Sequence, residues 1–154
     1  MPERDAPGVI APPPLIFVGG LAIGLGLQAL LGSASPPAAV EWSVGILLIV
    51  VGVALARSFF SALRHARTPV DPYKPTTTLV TTGPYRFSRN PGYLGMTLGY
   101  AGTTVLIGAL WPFVILVPTL ILIDRGVIHR EERYLEGKFG EEYLRYKART
   151  RRWL

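Results

Sequence analysis

The chain has no cysteine. That excludes disulfides, thiolate metal sites and a cysteine nucleophile, and it leaves the compartment open. Charge is also scarce. Asp, Glu, Lys and Arg make up 17% of the 154 residues, against roughly 25% in ordinary globular chains. The two histidines, His65 and His129, stand apart without the carboxylate-histidine spacing of a metal centre, so no metal is expected. No Ser-His-Asp set, P-loop or CxxC pattern is present. GLAIGLG, Gly20 to Gly26, imitates a dinucleotide fingerprint only loosely, and it lies inside an apolar run rather than after a strand.

What the chain has in quantity is apolar sequence, 49% of its residues. Runs of about 18 apolar residues read as membrane-spanning helices. The first is Pro14 to Gly32, uncharged, with a small-xxx-small face at Gly20 and Gly24 that would let a neighbouring helix, in a homodimer for example, approach closely. A signal peptide is the competing reading, but Glu3 and Asp5 beside a single Arg4 make a poor basic leader, which favours a retained helix. A second helix is expected from Trp42 to about Ala66, ending in Arg57, Arg64, His65 and Arg67, whose long stems can reach lipid headgroups. The stretch Tyr93 to Ile123 is too long for one span. Gly108, Trp111 and Pro112 punctuate it, predicting a tight helical hairpin with arms near 92–108 and 111–128.

The fold expected is therefore an all-α integral membrane protein of about four transmembrane helices, including a C-terminal hairpin followed by amphipathic helices on the cytoplasmic side. It reads as a single domain over 1–154. Residues 1–13 form a disordered or interfacial arm, 14–67 the first two spans, and 68–154 the part that carries chemistry. Within the last, TTTLVTTG is rich in β-branched residues and reads as extended.

The net charge of +6 points to anionic lipid rather than nucleic acid, because the basic residues flank apolar runs. Of 16 Lys and Arg, six fall in 57–90, nine in 124–154 and one in the N-terminal arm. Four spans put both basic segments on one face, and basic residues favour the cytoplasm, so both termini are expected there.

The segment GPYRFSRNPGYLG, Gly83 to Gly95, enters the hairpin at that face. Gly83-Pro84 makes a turn. Asn90 is a suitable N-cap, and Pro91 suits the first helical turn. The free N–H groups of a helix start attract carboxylates and phosphates, Gly92 and Gly95 would leave backbone open to a ligand, and Arg86 and Arg89 add forked donors. Interfacial anchoring by Arg, Tyr and Pro explains the same residues without a ligand. After the hairpin, HREERYL puts Glu131 and Leu135 on one helix face and Glu132 and Glu136 on another. Glu136, Glu141 and Glu142 read as solvated, ion-paired residues. Glu131 and Glu132, beside the apolar boundary, are better ligand candidates.

LVTTGPYRFSRNPGYLG, an apolar hairpin, then EERYL and FGEEYLRYKARTRRW together resemble the isoprenylcysteine carboxyl methyltransferase family, whose wider group includes the phospholipid N-methyltransferases. The resemblance covers about residues 68–154. It implies a membrane methyltransferase that uses S-adenosylmethionine, with a cofactor pocket at the cytosolic face. Carried onto this chain, the cofactor residues are Gly83, Tyr85, Arg89, Asn90, Pro91, Tyr93, Gly95, Glu131, Glu132 and Leu135. Arg86, Arg89 and Glu132 are the candidates for the reaction itself. Family members often have histidine where this chain has Asn90, which caps and donates but does not titrate. Glu131 or Glu132 would meet the cofactor's ammonium or ribose. Arg86 or Arg89 and the helix start would meet its carboxylate, or a substrate carboxylate, and Tyr85 or Tyr93 would pack on the adenine or the sulfonium. The acceptor implied is lipophilic, an isoprenylcysteine-like carboxylate or a phospholipid amine. Two other classes stay open: an NADPH-dependent membrane reductase of the sterol reductase type, with the basic tail 145–152 on the cofactor phosphates, and a non-catalytic membrane scaffold.

Overall fold

The structure, a computed structural model, describes residues 5–32 and 38–154. Six α-helices follow in order: α1 Pro13–Leu31, α2 Ala38–His65, α3 Pro91–Ile107, α4 Leu110–Ile123, α5 His129–Phe139 and α6 Glu141–Arg149. Among the described residues there is no strand, and TTTLVTTG, expected to be extended, is irregular coil ending in a short 3-10 turn at Gly83–Arg86.

The helix ends follow local chemistry. Pro13 stands in the first turn of α1, where a missing N–H costs nothing. α3 stops at Gly108, which adopts φ 65° and returns its N–H to the carbonyls of Thr104 and Val105. α4 does not end at the charged boundary. A five-residue π turn, Asp124–Ile128, carries it directly into α5, so Leu110–Phe139 forms one 30-residue helical run. The tail expected to begin afresh at residue 124 is thus a continuation of the hairpin's second arm.

The packing partners differ from a hairpin whose arms lie side by side. α3 lies chiefly against α2, and α4 chiefly against α1. Between α2 and α3 the backbones touch through glycines one heptad apart. A Cβ on Gly52 would stand 2.8 Å from the Gly95 carbonyl oxygen, and one on Gly102 2.8 Å from that of Gly45. Without a hydrophobic driving force inside lipid, such close approach is what holds helices together. Gly20 and Gly24 do the same for α1, meeting the Thr119 side chain and, at 2.5 Å, the Pro112 Cα of α4. The glycine face read as open to a homodimer is therefore filled within the chain. Gln28 of α1 then accepts hydrogen bonds from the backbone N–H groups of Leu110 and Trp111, capping α4 from a neighbouring helix.

These contacts fix directions. Ile10, before α1, bonds to Gly126, after α4, while Trp111, at the start of α4, bonds to Gly32 at the end of α1. Gly45 meets Gly102, and Phe59 meets Gly92. Both pairs are antiparallel, and the start of α1, the end of α2, the start of α3 and the end of α4 share one end of the bundle.

Three helical segments are long and apolar enough to cross a membrane: Pro13–Leu31, Trp42–His65 and Leu110–Phe139. α3, at 17 residues, is shorter than these. Outer faces remain apolar and exposed, among them Val18 and Ile23 of α1, Leu47 and Val50 of α2, and Val114 and Val117 of α4. The interior core gathers Phe17, Tyr100, Leu116, Ile123, Val127 and Ile128.

Residues 5–12 pack onto the helices through Val9, with Asp5 and Ile10 exposed. Val9 is buried in the core cluster, Arg130 donates to the Gly8 carbonyl at 2.9 Å, and Lys138 pairs with Asp5 at 2.7 Å. The expected arm is instead a strap laid across the π turn and α5, because Val9 and Ile10 give it an apolar side. The part of the arm before residue 5 lies outside the described residues.

Candidate active site

The site is built at the shared end of the bundle. Gly83, with φ 60°, opens the 3-10 turn, and Pro84 is buried beneath it. The chain then runs through Ser88, Arg89 and Asn90, where it is stitched to the C-terminal residues. The Arg89 N–H donates to the Arg151 carbonyl at 2.9 Å. The Arg152 carbonyl accepts from Ser88 Oγ at 3.2 Å and from Asn90 Nδ2 at 2.9 Å. Asn90 does occupy the position before α3, but its side chain does not cap the helix. Its amide donates to the tail instead.

Arg89 and Glu132, both expected to face a ligand, face each other. Arg89 Nη2 lies 2.9 Å from Glu132 Oε1, with side-chain exposures of 10% and 7%. Arg89 Nη1 donates to the carbonyls of Lys147 at 3.0 Å and Thr150 at 2.7 Å. Arg152 Nη2 approaches the other Glu132 oxygen at 2.6 Å, and Arg152 also reaches Asp124 at 3.3 Å. One buried carboxylate between two guanidiniums, reinforced by carbonyls, is a satisfied ion network that locks the tail onto the start of α3.

Beside that network lies a cavity with an open mouth. Its floor is the start of α3, with Asn90, Pro91, Gly92, Tyr93 and Met96. One wall comes from α2 and the turn, with Phe59, Leu63 and Tyr85. Another comes from α5 and α6, with Glu131, Glu132, Leu135, Tyr143 and Tyr146. The connection 68–80 forms a roof, with Val70, Thr76, Leu79 and Val80 among its inward residues, and Pro7 of the strap closes a corner. Arg89 and Glu132 also line it, engaged with each other as described.

Glu131 differs from Glu132. Its carboxylate accepts from Tyr93 Oη at 2.6 Å, and among the described residues no cation pairs with it. Glu131 thus lines the cavity with the Tyr93 phenol as its hydrogen-bond partner. Burial, and after it the Glu131 carboxylate, push the Tyr85 phenol well up. Burial does the same to Tyr143 and Tyr146. These rings stay neutral hydroxyls. Tyr85 also stands 6.1 Å from the Phe59 ring, tilted by 39° to it, so two aromatic rings line this wall.

Of the residues singled out from sequence, Tyr85, Arg89, Asn90, Pro91, Tyr93, Glu131, Glu132 and Leu135 line this cavity, and Gly83, Arg86 and Gly95 do not. Gly95 is a packing glycine against Gly52, and Arg86 is exposed on the outer side of the turn. Glu136 pairs with Lys147, as its reading as an ion-paired residue expects. Sequence reasoning missed the roof, the strap, Arg152 and the tyrosines at 134, 143 and 146. Tyr143 and Tyr146 were accessible to it, being three apart on the apolar face of a short amphipathic helix. Among the described residues no group of three or more His, Asp or Glu is placed to hold a metal ion.

A family model described as phospholipid methyltransferase matches residues 40–142. An uncharacterized protein of Haemophilus influenzae is 40% identical over 62 residues, covering 40% of this chain and 98% of its own length. The protein-S-isoprenylcysteine O-methyltransferase of Mus musculus is 35% identical over 110 residues, 70% of this chain and 39% of that protein. The Homo sapiens protein of the same name is 36% identical over 108 residues, 69% and 38% respectively. The chain thus spans about two fifths of the length of those methyltransferases. No solved structure matches it. With its match covering residues 40–142 and its long apolar helices turned outward, the chain is an integral membrane protein and belongs to the phospholipid methyltransferase family.

Proposed function

We propose that the protein is a membrane methyltransferase that takes its methyl group from S-adenosylmethionine and passes it to a lipophilic acceptor at the cavity. The observation that carries this reading is the cation-unpaired Glu131 carboxylate set among aromatic rings beside the start of α3, at one end of an apolar bundle.

The residues fit that donor. Glu131 would hold its ammonium, and Tyr85 and Tyr93 would flank the adenine or the cationic sulfur, which attracts ring faces. The N–H groups of Gly92 and Tyr93, in the first turn of α3, would receive its carboxylate. Arg89, assigned to that carboxylate from sequence, is committed to Glu132 and two carbonyls, so its part is to position α3. The donor supplies an activated methyl group for direct displacement. The chain supplies alignment, since holding nucleophile, methyl and sulfur in line within about 3–3.5 Å accounts for much of such a rate. Phe59, Leu63, Val80 and Met96 make the apolar side on which a lipid acceptor would rest. A carboxylate acceptor requires no general base, whereas a phospholipid amine must first lose a proton, for which Glu131 is an acid-base group in the lining. Both acceptors are compatible with the apolar side of the cavity.

The reductase reading fares less well. Among the lining residues Arg89 is the lone cation, and Arg145, Arg149 and Arg151 of the tail stand outside the cavity, leaving the phosphates of a nicotinamide cofactor without partners. The scaffold reading leaves an acidic cavity without purpose.

The reading extends to topology. α3 runs the same distance as the α2 stretch it packs on, so we count it as the fourth crossing in a single membrane domain, with both termini and the cavity on the cytoplasmic side. The deciding experiment incubates the purified protein in vesicles with isotopically labelled S-adenosylmethionine and follows label into lipids and prenylated peptides by mass spectrometry, with parallel titrations of S-adenosylmethionine and NADPH. Binding of NADPH alone would overturn the proposal.

A further inference from the structure

The cavity is covered by two segments far apart in sequence, and one phenol joins them. Tyr134 lies on α5 and lines the cavity. Its oxygen accepts from the backbone N–H of Thr76, in the roof, at 3.0 Å. Its hydroxyl donates to Asp5, in the strap, at 2.8 Å. Lys138, one turn along, donates to the same phenol at 2.9 Å and to both Asp5 oxygens at 2.8 and 2.7 Å. Strap and roof thus meet at a single four-membered cluster. Elsewhere the two segments are anchored differently. The roof is braced at its base, where the Thr77 N–H donates to Thr68 Oγ1 and the Thr77 hydroxyl to the Arg67 carbonyl. The strap is held by Val9 in the core and by Arg130 on Gly8. Pro7, between the cluster and Val9, touches the cavity.

We propose that Tyr134 is a positioning residue that couples the strap to the roof, so that the segment before the first helix governs how long the cavity stays closed over its bound donor. This rests on the reading of the cavity as an S-adenosylmethionine site. The coupling is polar, exposed to water on its Asp5 side, and confined to the cluster. Opening it therefore costs little and leaves the buried Arg89–Glu132–Arg152 network intact, as a closure that must release product requires.

Three full-length variants test it: Tyr134→Phe, Asp5→Asn and Lys138→Ala. Hydrogen exchange read on peptides spanning 70–80, without donor, is the first measurement, and it stands whether or not S-adenosylmethionine binds. Each variant is expected to lose protection in the roof, with Asp5→Asn and Lys138→Ala acting at a distance through the phenol. The second measurement is the S-adenosylmethionine dissociation rate by competition, expected to rise roughly three- to tenfold, the worth of one lost hydrogen bond. Roof protection equal to the parent's in Asp5→Asn and Lys138→Ala overturns the coupling, even if Tyr134→Phe alone loses protection. Exposed roofs with an unchanged dissociation rate overturn its role in retention. A parent that binds no S-adenosylmethionine refutes the donor reading instead, and the exchange result still decides the coupling.

Discussion

Arg89 and Glu132 resemble ligand-binding residues when read in sequence, a forked cation and an acid each beside an apolar boundary. Their geometry gives them another task, and the two roles predict different experiments. Removing one partner of a buried, hydrogen-bonded ion pair strands the other, at a cost of about 3–5 kcal/mol. Arg89→Ala should accordingly lower the thermal unfolding midpoint in detergent markedly, and a variant as stable as the parent would contradict the network. Glu131→Gln should behave oppositely. It keeps the shape and the Tyr93 contact while discarding the charge. Stability should barely move, whereas affinity for S-adenosylmethionine in the proposed site should fall by roughly 1–3 kcal/mol, the worth of a charged hydrogen bond, measured by calorimetric titration. Exchange of these outcomes between the two positions would show that the roles are reversed.

Among the elements, the α2–α3 contact is the most sensitive to side-chain size. Gly52 and Gly95 bring backbones together where even a Cβ is crowded, so Gly52→Leu should separate the helices and cost about 1–3 kcal/mol or more. Gly26, on the open side of α1 with nothing within 4 Å, should accept leucine with little change in the same unfolding assay. The strap offers a second contrast. Gly126 lies directly under Ile10, so Gly126→Leu should lift the strap, seen as faster proteolysis of the segment before α1. The π turn that places Gly126 there also resets the helix that follows by about one residue, roughly 100° of rotation. The side of α5 that carries Glu131, Glu132 and Leu135 meets the cavity only after that adjustment.

Taken whole, the molecule segregates its polarity to one end of the bundle, whatever its absolute orientation. The absence of cysteine makes this simple to probe. Single cysteines at Arg64 and Arg145 should react with an impermeant reagent from the same side of sealed vesicles, and one at Leu110 from the other. The first two reacting from opposite sides would break the site apart. Much of this arrangement was readable in advance. The apolar runs, the turn at Gly108 and the clustering of Lys and Arg in 57–90 and 124–154 identify helices and group the basic segments, because hydropathy and helix-breaking residues act locally. The partner choice of each helix was not readable. A glycine face says that something approaches closely and does not say whether α4 or a second copy does.

Composition and motif spacing determined by themselves that this is a helical membrane protein and marked its turn-rich segment and acidic pair as candidates for the site, since the cost of placing charge in lipid is paid residue by residue. Tertiary structure alone decided which acid is free. Glu131 and Glu132 are neighbours with nearly identical local sequence. Only the arrival of Arg89 from residue positions far upstream, and Arg152 from downstream, neutralises one and leaves the other facing the cavity. Coulomb pairing depends on distance in space, and that distance is set by the glycine contacts and the tail's stitch to α3, neither of which is expressed within a few residues of either acid.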